Sequence, residues 1–272
     1  MSEVERILGP SWARSDRIFS LIAPGGMEQR AIPLRHPPVF YLGHLAAVAW
    51  NHIGAGLLGE DPHDPDYDVL FERGIDPLSD EAAEGATQSS WPSIADIAAY
   101  RDAIRARVRD AEEAVAKLSK SRAKKNVLAK KGGVYWLVRE HEDMHHETLL
   151  YILQQMDPRY LRRPVDWPRL ETGADVRPPR RMPVKRGRAV LGVERKALPF
   201  TWDNESPTHE VDVDSFLLDD LPVTVGRFRV FVEAGGYANR SLWDDAAWEW
   251  LQEKVYEAPI SWRKTSSGWE VR

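Results

Sequence analysis

The apolar positions of the first 157 residues recur at helical spacing in four stretches. The first, from about Ser11 to Ala23, stops at Pro24-Gly25-Gly26, a helix breaker followed by a turn. The second runs from Val39 to Leu58 after His36-Pro37-Pro38, carries a strongly apolar face and ends at Gly59. The third takes Ser93 as its N-cap and places Ile94, Ile97, Ala98, Ile104, Val108, Ala111 and Val115 on one stripe as far as about Ser121. The fourth follows Gly132-Gly133, spans Val134 to Met156 and is terminated by Asp157-Pro158. Four amphipathic helices predict a four-helix bundle. The connection at 59–92 is long for a bundle, and its Tyr67, Phe71 and Trp91 predict a packed lid.

Beyond Asp157 the pattern changes. Up to Pro183 the chain is rich in Pro and Arg, as an interdomain linker is. Then the period shortens to two: Val211, Val213 and Phe216 alternate with Glu210, Asp212 and Asp214, predicting a strand over His209 to Phe216, and Arg188 to Gly192 predicts another. A helix from about Val225 to Glu233 is stopped by Gly235-Gly236, and Trp243, Trp248 and Trp250 are expected in a core. The expected fold class is therefore α+β, with a bundle at 1–168, a linker at 169–183 and a mixed domain from 184 to 272.

Composition narrows the chemistry. A chain of 272 residues closes a core without disulfides or a structural metal, so a metal found here is expected to be functional. The 37 basic and 42 acidic residues leave a net charge of −5, which gives no pull towards nucleic acid or an anionic membrane. The acid-free basic run from Lys117 to Lys131 reads as a solvated helix end. With no cysteine, thiol nucleophiles, thiolate zinc sites and iron–sulfur clusters are excluded from the chain, leaving His, Asp and Glu as metal ligands. No basic-then-apolar leader opens the sequence and no 18-residue apolar run interrupts it, so a cytoplasmic location is expected.

The sharpest motif is His141-Glu142-Asp143-Met144-His145, inside the fourth helix. Four residues apart on a helix, the two imidazoles stand about 40° apart and about 6 Å along the axis, so both reach one metal from one face. The same spacing opens zinc peptidases, but their extended form needs Gly and His three and six residues on, where this chain has Thr148 and Tyr151. His44, within the apolar second helix, is the most economical third ligand, because facing helices of a bundle build such sites. Three neutral histidines leave coordination positions open and suit Zn, Fe, Cu or Ni. Glu142 and Glu147 are candidates for orienting the imidazoles, and His146, about 100° off the ligand face, is read as non-ligating.

The combination resembles a known family. Gly43-His44 with His141-Glu142-x-x-His145-x-Glu147-Thr148-Leu149 resembles the DinB-like four-helix bundle of the EgtB-like sulfoxide synthases of ergothioneine biosynthesis. Phe200-x-Trp202-Asp203-Asn204-Glu205-x-Pro207-x-His209-x-Val211-x-Val213, Pro222-Val223-Thr224 and Phe231-Val232-Glu233-x-Gly235-Gly236-Tyr237 resemble the formylglycine-generating-enzyme-like (sulfatase-modifying-factor, C-type-lectin-like) domain that follows it there.

The resemblance implies a mononuclear nonheme iron enzyme. Fe(2+), held by His44, His141 and His145, would use O2 to join the sulfur of a thiol (γ-glutamylcysteine or cysteine) to the imidazole of hercynine as a sulfoxide. Met144 stands where several members have a Gln beside the imidazole, which leaves histidine-using or selenium-installing relatives as alternative readings. The family's second domain continues beyond the position of Arg272 and there carries a catalytic tyrosine, so the catalytic residues are expected beyond Arg272 and the second domain is expected to be incomplete. The rival class is a DinB-like zinc-dependent thiol transferase or a non-catalytic metal-binding remnant.

Overall fold

The protein is described by a computed structural model covering residues 1–72, 90–122, 127–166 and 177–271. Its first half is helical: α1 (Glu3–Ile7), α2 (Gly9–Phe19), α3 (Pro38–Trp50), α4 (Pro65–Glu72), α5 (Ile94–Asp110), α6 (Glu112–Arg122) and α7 (Gly133–Gln155). The second half holds the strands β1 (Arg181–Val184), β2 (Gly187–Leu191), β3 (His209–Val213), β4 (Phe216–Asp219), β5 (Trp262–Thr265) and β6 (Gly268–Val271). Between β4 and β5 lie α8 (Val225–Glu233) and α9 (Asp245–Lys254). This is the α+β arrangement read from the two hydrophobic periods. No helix among the described residues is long and apolar enough to cross a membrane.

The chain divides into two units, Met1–Trp167 with Gly192–Thr208, and Pro168–Leu191 with His209–Arg272. In the first, α3 is the central element. Pro38 starts it where an N–H has no helical partner anyway, and every residue from Pro38 to Trp50 is buried. A helix apolar on all sides has to be surrounded, and α3 packs against α4, α5 and α7. Ser93 caps α5, accepting a hydrogen bond from the Asp96 N–H, and Ile97, Tyr100, Ile104 and Val108 form its buried stripe. The helix breaks at Ala111 and resumes as α6. Of the basic run, Lys130 is exposed, as a solvated helix end would be, while residues 123–126 lie outside the described ones.

Three expectations are corrected. The first helix begins at Glu3, capped by Ser2, rather than near Ser11: Val4, Ile7 and Leu8 are fully buried, but the stripe is short and interrupted by Gly9-Pro10. The connection at 59–92 contains a helix, α4, which opens on Asp64-Pro65 with the Asp64 carboxylate accepting from the Asp66 and Tyr67 N–H groups. Within it Phe71 is fully buried, and Tyr67 and Trp91 pack against the core as the lid reading requires; residues 73–89 lie outside the described ones. Residues 209–216 form not one strand but the end of two ladders, because β3 pairs antiparallel with β2 and β4 pairs antiparallel with β1.

The second unit contains three two-stranded antiparallel sheets, β1–β4, β2–β3 and β5–β6. The helix predicted at Val225 to Glu233 is α8, capped by Thr224. Trp243 and Trp248 are partly buried, but Trp250 is half exposed, lying against Tyr256, which departs from the core placement expected of all three.

Candidate metal centre

Two helical stripes face each other inside the first unit. Tyr41, His44 and Val48 on α3, continued by His52 in the following turn of helix, oppose Leu137, His141, Met144, His145, Thr148 and Tyr151 on α7. Between them lies a cavity of about 520 Å³, which Arg35, Glu72 and Trp202 also line. Trp202 belongs to the 192–208 segment, whose Phe200 packs on the helical core and whose Pro199 carbonyl sits against Gly133.

His44, His141 and His145 come together in the wall of this cavity, with ligand atoms all within 4.8 Å of one another. The His145 Nε2 atom lies 3.2 Å from His44 Nε2 and 3.2 Å from His141 Nε2. Two imidazole nitrogens bound about 2.1 Å from one ion at neighbouring positions are themselves about 3.0–3.4 Å apart. Two of the three donor pairs therefore stand at the separation that one shared cation requires, and the set as a whole lies within 4.8 Å.

Their electrostatics agree with that geometry. Burial, reinforced by the neighbouring histidines, lowers His141 to about 2 and His145 to about 3; burial lowers His44 to about 4 against the opposing effect of its hydrogen bond. At neutral pH the rings are uncharged and their lone pairs available. Three neutral imidazoles aimed at one point form a donor set for a borderline divalent ion such as Fe, Zn, Cu or Ni.

His44 is oriented by a group that the sequence did not identify. Its Nδ1–H donates to the Phe71 carbonyl at 2.7 Å, which leaves the Nε2 lone pair directed at His145. The reason for a glycine before this histidine lies in the same contact: a Cβ at Gly43 would stand 2.5 Å from the Phe71 ring. The close approach of α4 to α3 thus depends on Gly43, and the carbonyl that fixes His44 arrives with α4.

The remaining candidates separate. Met144 lines the cavity and is 51% exposed. Glu142 is buried on the other side of α7, where it accepts from Ser15 and faces Arg105; burial raises its carboxyl to about 7. It touches none of the three clustered histidines. Glu147 is exposed. His146 points away from the cluster, its Nε2 2.7 Å from the Ser15 hydroxyl and its Nδ1 3.2 Å from Asp143, as its angular offset predicts. Arg35, Tyr41, Tyr151, Trp202 and the Phe71 carbonyl were not identified from sequence; only Trp202 lies within a motif, and nothing in that motif locates it at this cavity.

Three inward histidines at the wall of a cavity in a helical bundle form a donor set that could hold a metal ion. Residues 8–149 match the DinB superfamily, to which the chain belongs, and residues 169–270 match the sulfatase-modifying factor enzyme 1-like domain. That order of domains is the EgtB-like one that the motifs resemble. The chain is 27% identical to Ergothioneine biosynthesis protein 1 of Neurospora crassa over 93% of its own length and 28% of that protein. To Hercynine oxygenase of Mycolicibacterium thermoresistibile it is 34% identical over 47% of its length and 28% of that protein. To Ergothioneine biosynthesis protein 1 of Schizosaccharomyces pombe it is 25% identical over 78% of its length and 30% of that protein. The chain thus spans under a third of the length of these curated relatives.

Proposed function

We propose that His44, His141 and His145 hold Fe(2+) and that the chain serves an O2-dependent sulfoxide synthase of ergothioneine biosynthesis. The observation that carries the reading is the clustering of three neutral imidazoles, their ligand atoms within 4.8 Å of one another, in the wall of a 520 Å³ cavity; relatives named Hercynine oxygenase supply the substrate class. In the proposed reaction the C–H of the hercynine imidazole and the S–H of a cysteine-containing thiol give a C–S bond. One oxygen atom of O2 ends in the sulfoxide and the other in water. Bound iron would supply the activation of O2.

The protein's own residues supply the setting. Phe71 holds the proton of His44 on Nδ1, so that Nε2 remains a ligand. Burial keeps the three rings neutral. Tyr41, Tyr151 and Trp202 line the cavity with aromatic surface suited to a flat imidazole ring, and Met144 lies among them as an adaptable apolar neighbour.

Metal analysis after anaerobic loading, followed by O2 uptake with hercynine and γ-glutamylcysteine or cysteine, tests this reading. One iron per chain is expected, and in the whole protein substrate-dependent O2 uptake with formation of the sulfoxide by mass spectrometry. Preference for zinc over iron, together with thiol transfer that ignores O2, would establish the thiol-transferase reading instead.

A further inference from the structure

The carbonyl that orients His44 is carried by a short helix. α4 is eight residues long, too short to hold its shape without tertiary contacts. It ends at Glu72, so none of its own N–H groups reaches the Phe71 carbonyl, which is left for His44 at 2.7 Å. One turn earlier on α4 stands Asp68, which is 6% exposed. Its Oδ1 accepts from the Tyr100 hydroxyl of α5, and its Oδ2 accepts from the His63 N–H at 2.8 Å. Burial, and after it the bond to Asp68, push the Tyr100 phenol up from its ordinary value, so it remains a donor at neutral pH.

We propose that Asp68 and Tyr100 are positioning residues for the metal centre: the bond between them sets the rotation and axial position of α4, and α4 in turn presents the Phe71 carbonyl that keeps the His44 proton on Nδ1. The inference rests on the reading above in taking His44 as a metal ligand. Asp68 and Phe71 are three residues apart, on one face of α4 and about 4.5 Å apart along its axis. A shift at one is therefore passed to the other.

The other contacts of α4 do different work. The Phe71 ring lies among Tyr67, Tyr100 and Trp91, with ring centres 5.7, 6.2 and 6.2 Å away. Apolar attraction of this kind holds the ring in the core but is non-directional. The stretch before α4 is held by the Trp50 indole N–H, which donates to the Asp61 carbonyl at 3.2 Å, and by Arg107, whose Nη2 donates to Glu60 at 3.1 Å. Bonds to a loop leave the helix beyond it able to turn about its axis. The hydrogen bonds of Asp68 are directional and act on the helix itself. They are also hard to give up, because a buried carboxylate that loses a donor keeps the cost of its lost hydration.

Fe(II) affinity under argon and proton exchange at the His44 ring, both measured on the full chain, test the assignment. For the second, Zn(II) is loaded as a diamagnetic probe and the His44 N–H is identified by its nuclear Overhauser contact with Phe71. In wild-type protein that N–H is expected to exchange slowly. Asp68→Ala should weaken Fe(II) about 10- to 100-fold, the range for a group that orients a ligand, and open the His44 N–H to exchange. Tyr100→Phe should act in the same direction at the low end of that range. Asp68→Asn, whose amide oxygen still accepts from Tyr100, should recover part of the loss. Val4→Ala supplies the comparison, at a buried site in α1, a helix that packs on α2, α5 and α7: it should lower the melting temperature and leave Fe(II) affinity and His44 exchange unchanged. If Asp68→Ala does not fold, Tyr100→Phe decides. Variants that melt early, as Val4→Ala does, yet keep wild-type affinity and slow His44 exchange would make the pair a structural clasp and overturn the proposal while leaving the metal reading intact. So would weakened affinity with the His44 N–H still protected. Failure of wild-type protein to take up either metal would overturn both the proposed function and this inference.

Discussion

The Nδ1 atom of His44 lies 2.7 Å from the carbonyl oxygen of Phe71, a residue 27 positions away on another helix. That bond fixes which nitrogen of His44 carries the proton. It ties a candidate ligand on α3 to the C-terminal end of α4 and makes the metal centre depend on how those two helices pack. The carbonyl is a backbone group, so no side-chain pattern announces it.

Removing any of the three converging imidazoles is expected to abolish stoichiometric binding. His44→Ala, His141→Ala and His145→Ala should each lose far more affinity than the 10- to 100-fold typical of a group that only orients a ligand. His146→Ala, which breaks contacts to Ser15 and Asp143, should change iron content little. Metal analysis after dialysis at limiting iron measures this; full occupancy in all three ligand variants would remove the site.

Gly43→Ala is expected to act on the metal through Phe71. The added methyl overlaps the Phe71 ring, and overpacking of this kind costs about 1–3 kcal/mol. As α4 shifts, the carbonyl leaves Nδ1 and iron affinity should fall about 10- to 100-fold. Thermal melting and iron titration of the same variant measure the two effects; a destabilised protein with unchanged affinity would show that the Phe71 contact does not hold His44.

Chelation is expected to leave the helical unit folded. Its core, from Val4 and Ile7 through Val39, Phe40, Leu42, Ala47 and Trp50 of α3 to Ile152 and Met156, is built from apolar side chains that are not among the three proposed ligands. Helical circular dichroism should persist with chelator present, and the melting temperature should fall only by the stabilisation that ligand binding contributes, about 2.7 kcal/mol at a hundredfold excess over Kd. Cooperative loss of helix on chelation would identify a structural site.

The pairing of β1 with β4 is expected to weaken in acid. Asp220 follows β4 and is held by the Arg177 guanidinium and by the backbone N–H and side chain of Arg180, which together lower its carboxyl to about 2 from 3.8. A carboxylate whose value is depressed on folding contributes stability above the unfolded value and loses it as pH falls through the folded one. Amide exchange in β1 and β4 should therefore accelerate between about pH 4 and pH 2 relative to other strands, and Asp220→Asn should show the fast exchange already at neutral pH.

Much of this was legible in the chain. The helical period of the first half, the caps at Ser93 and Thr224 and the stop at Asp157-Pro158 act through neighbours in sequence, and α5, α7 and α8 lie close to where those signals put them. The placement of His141 and His145 on one face of α7 follows from helix geometry alone, as does the turning away of His146.

What only the tertiary structure decided was which surfaces meet. The sequence offers Glu142 as a group that orients the imidazoles, whereas in the fold its carboxylate accepts from Ser15 of α2. Gly43 next to His44 reads as a motif, while its reason is the ring of Phe71 on α4. Arg35, Tyr151 and Trp202 come from a loop, a helix and a segment 51 residues beyond that helix residue, and they line one cavity because three backbones pass the same place. The short strands show the same division: alternation identifies them locally, but the partner of each is set by antiparallel pairing with residues far along the chain. Local signals travel through bonds and caps a few residues long, whereas a cavity is made by contacts whose partners sequence distance does not specify.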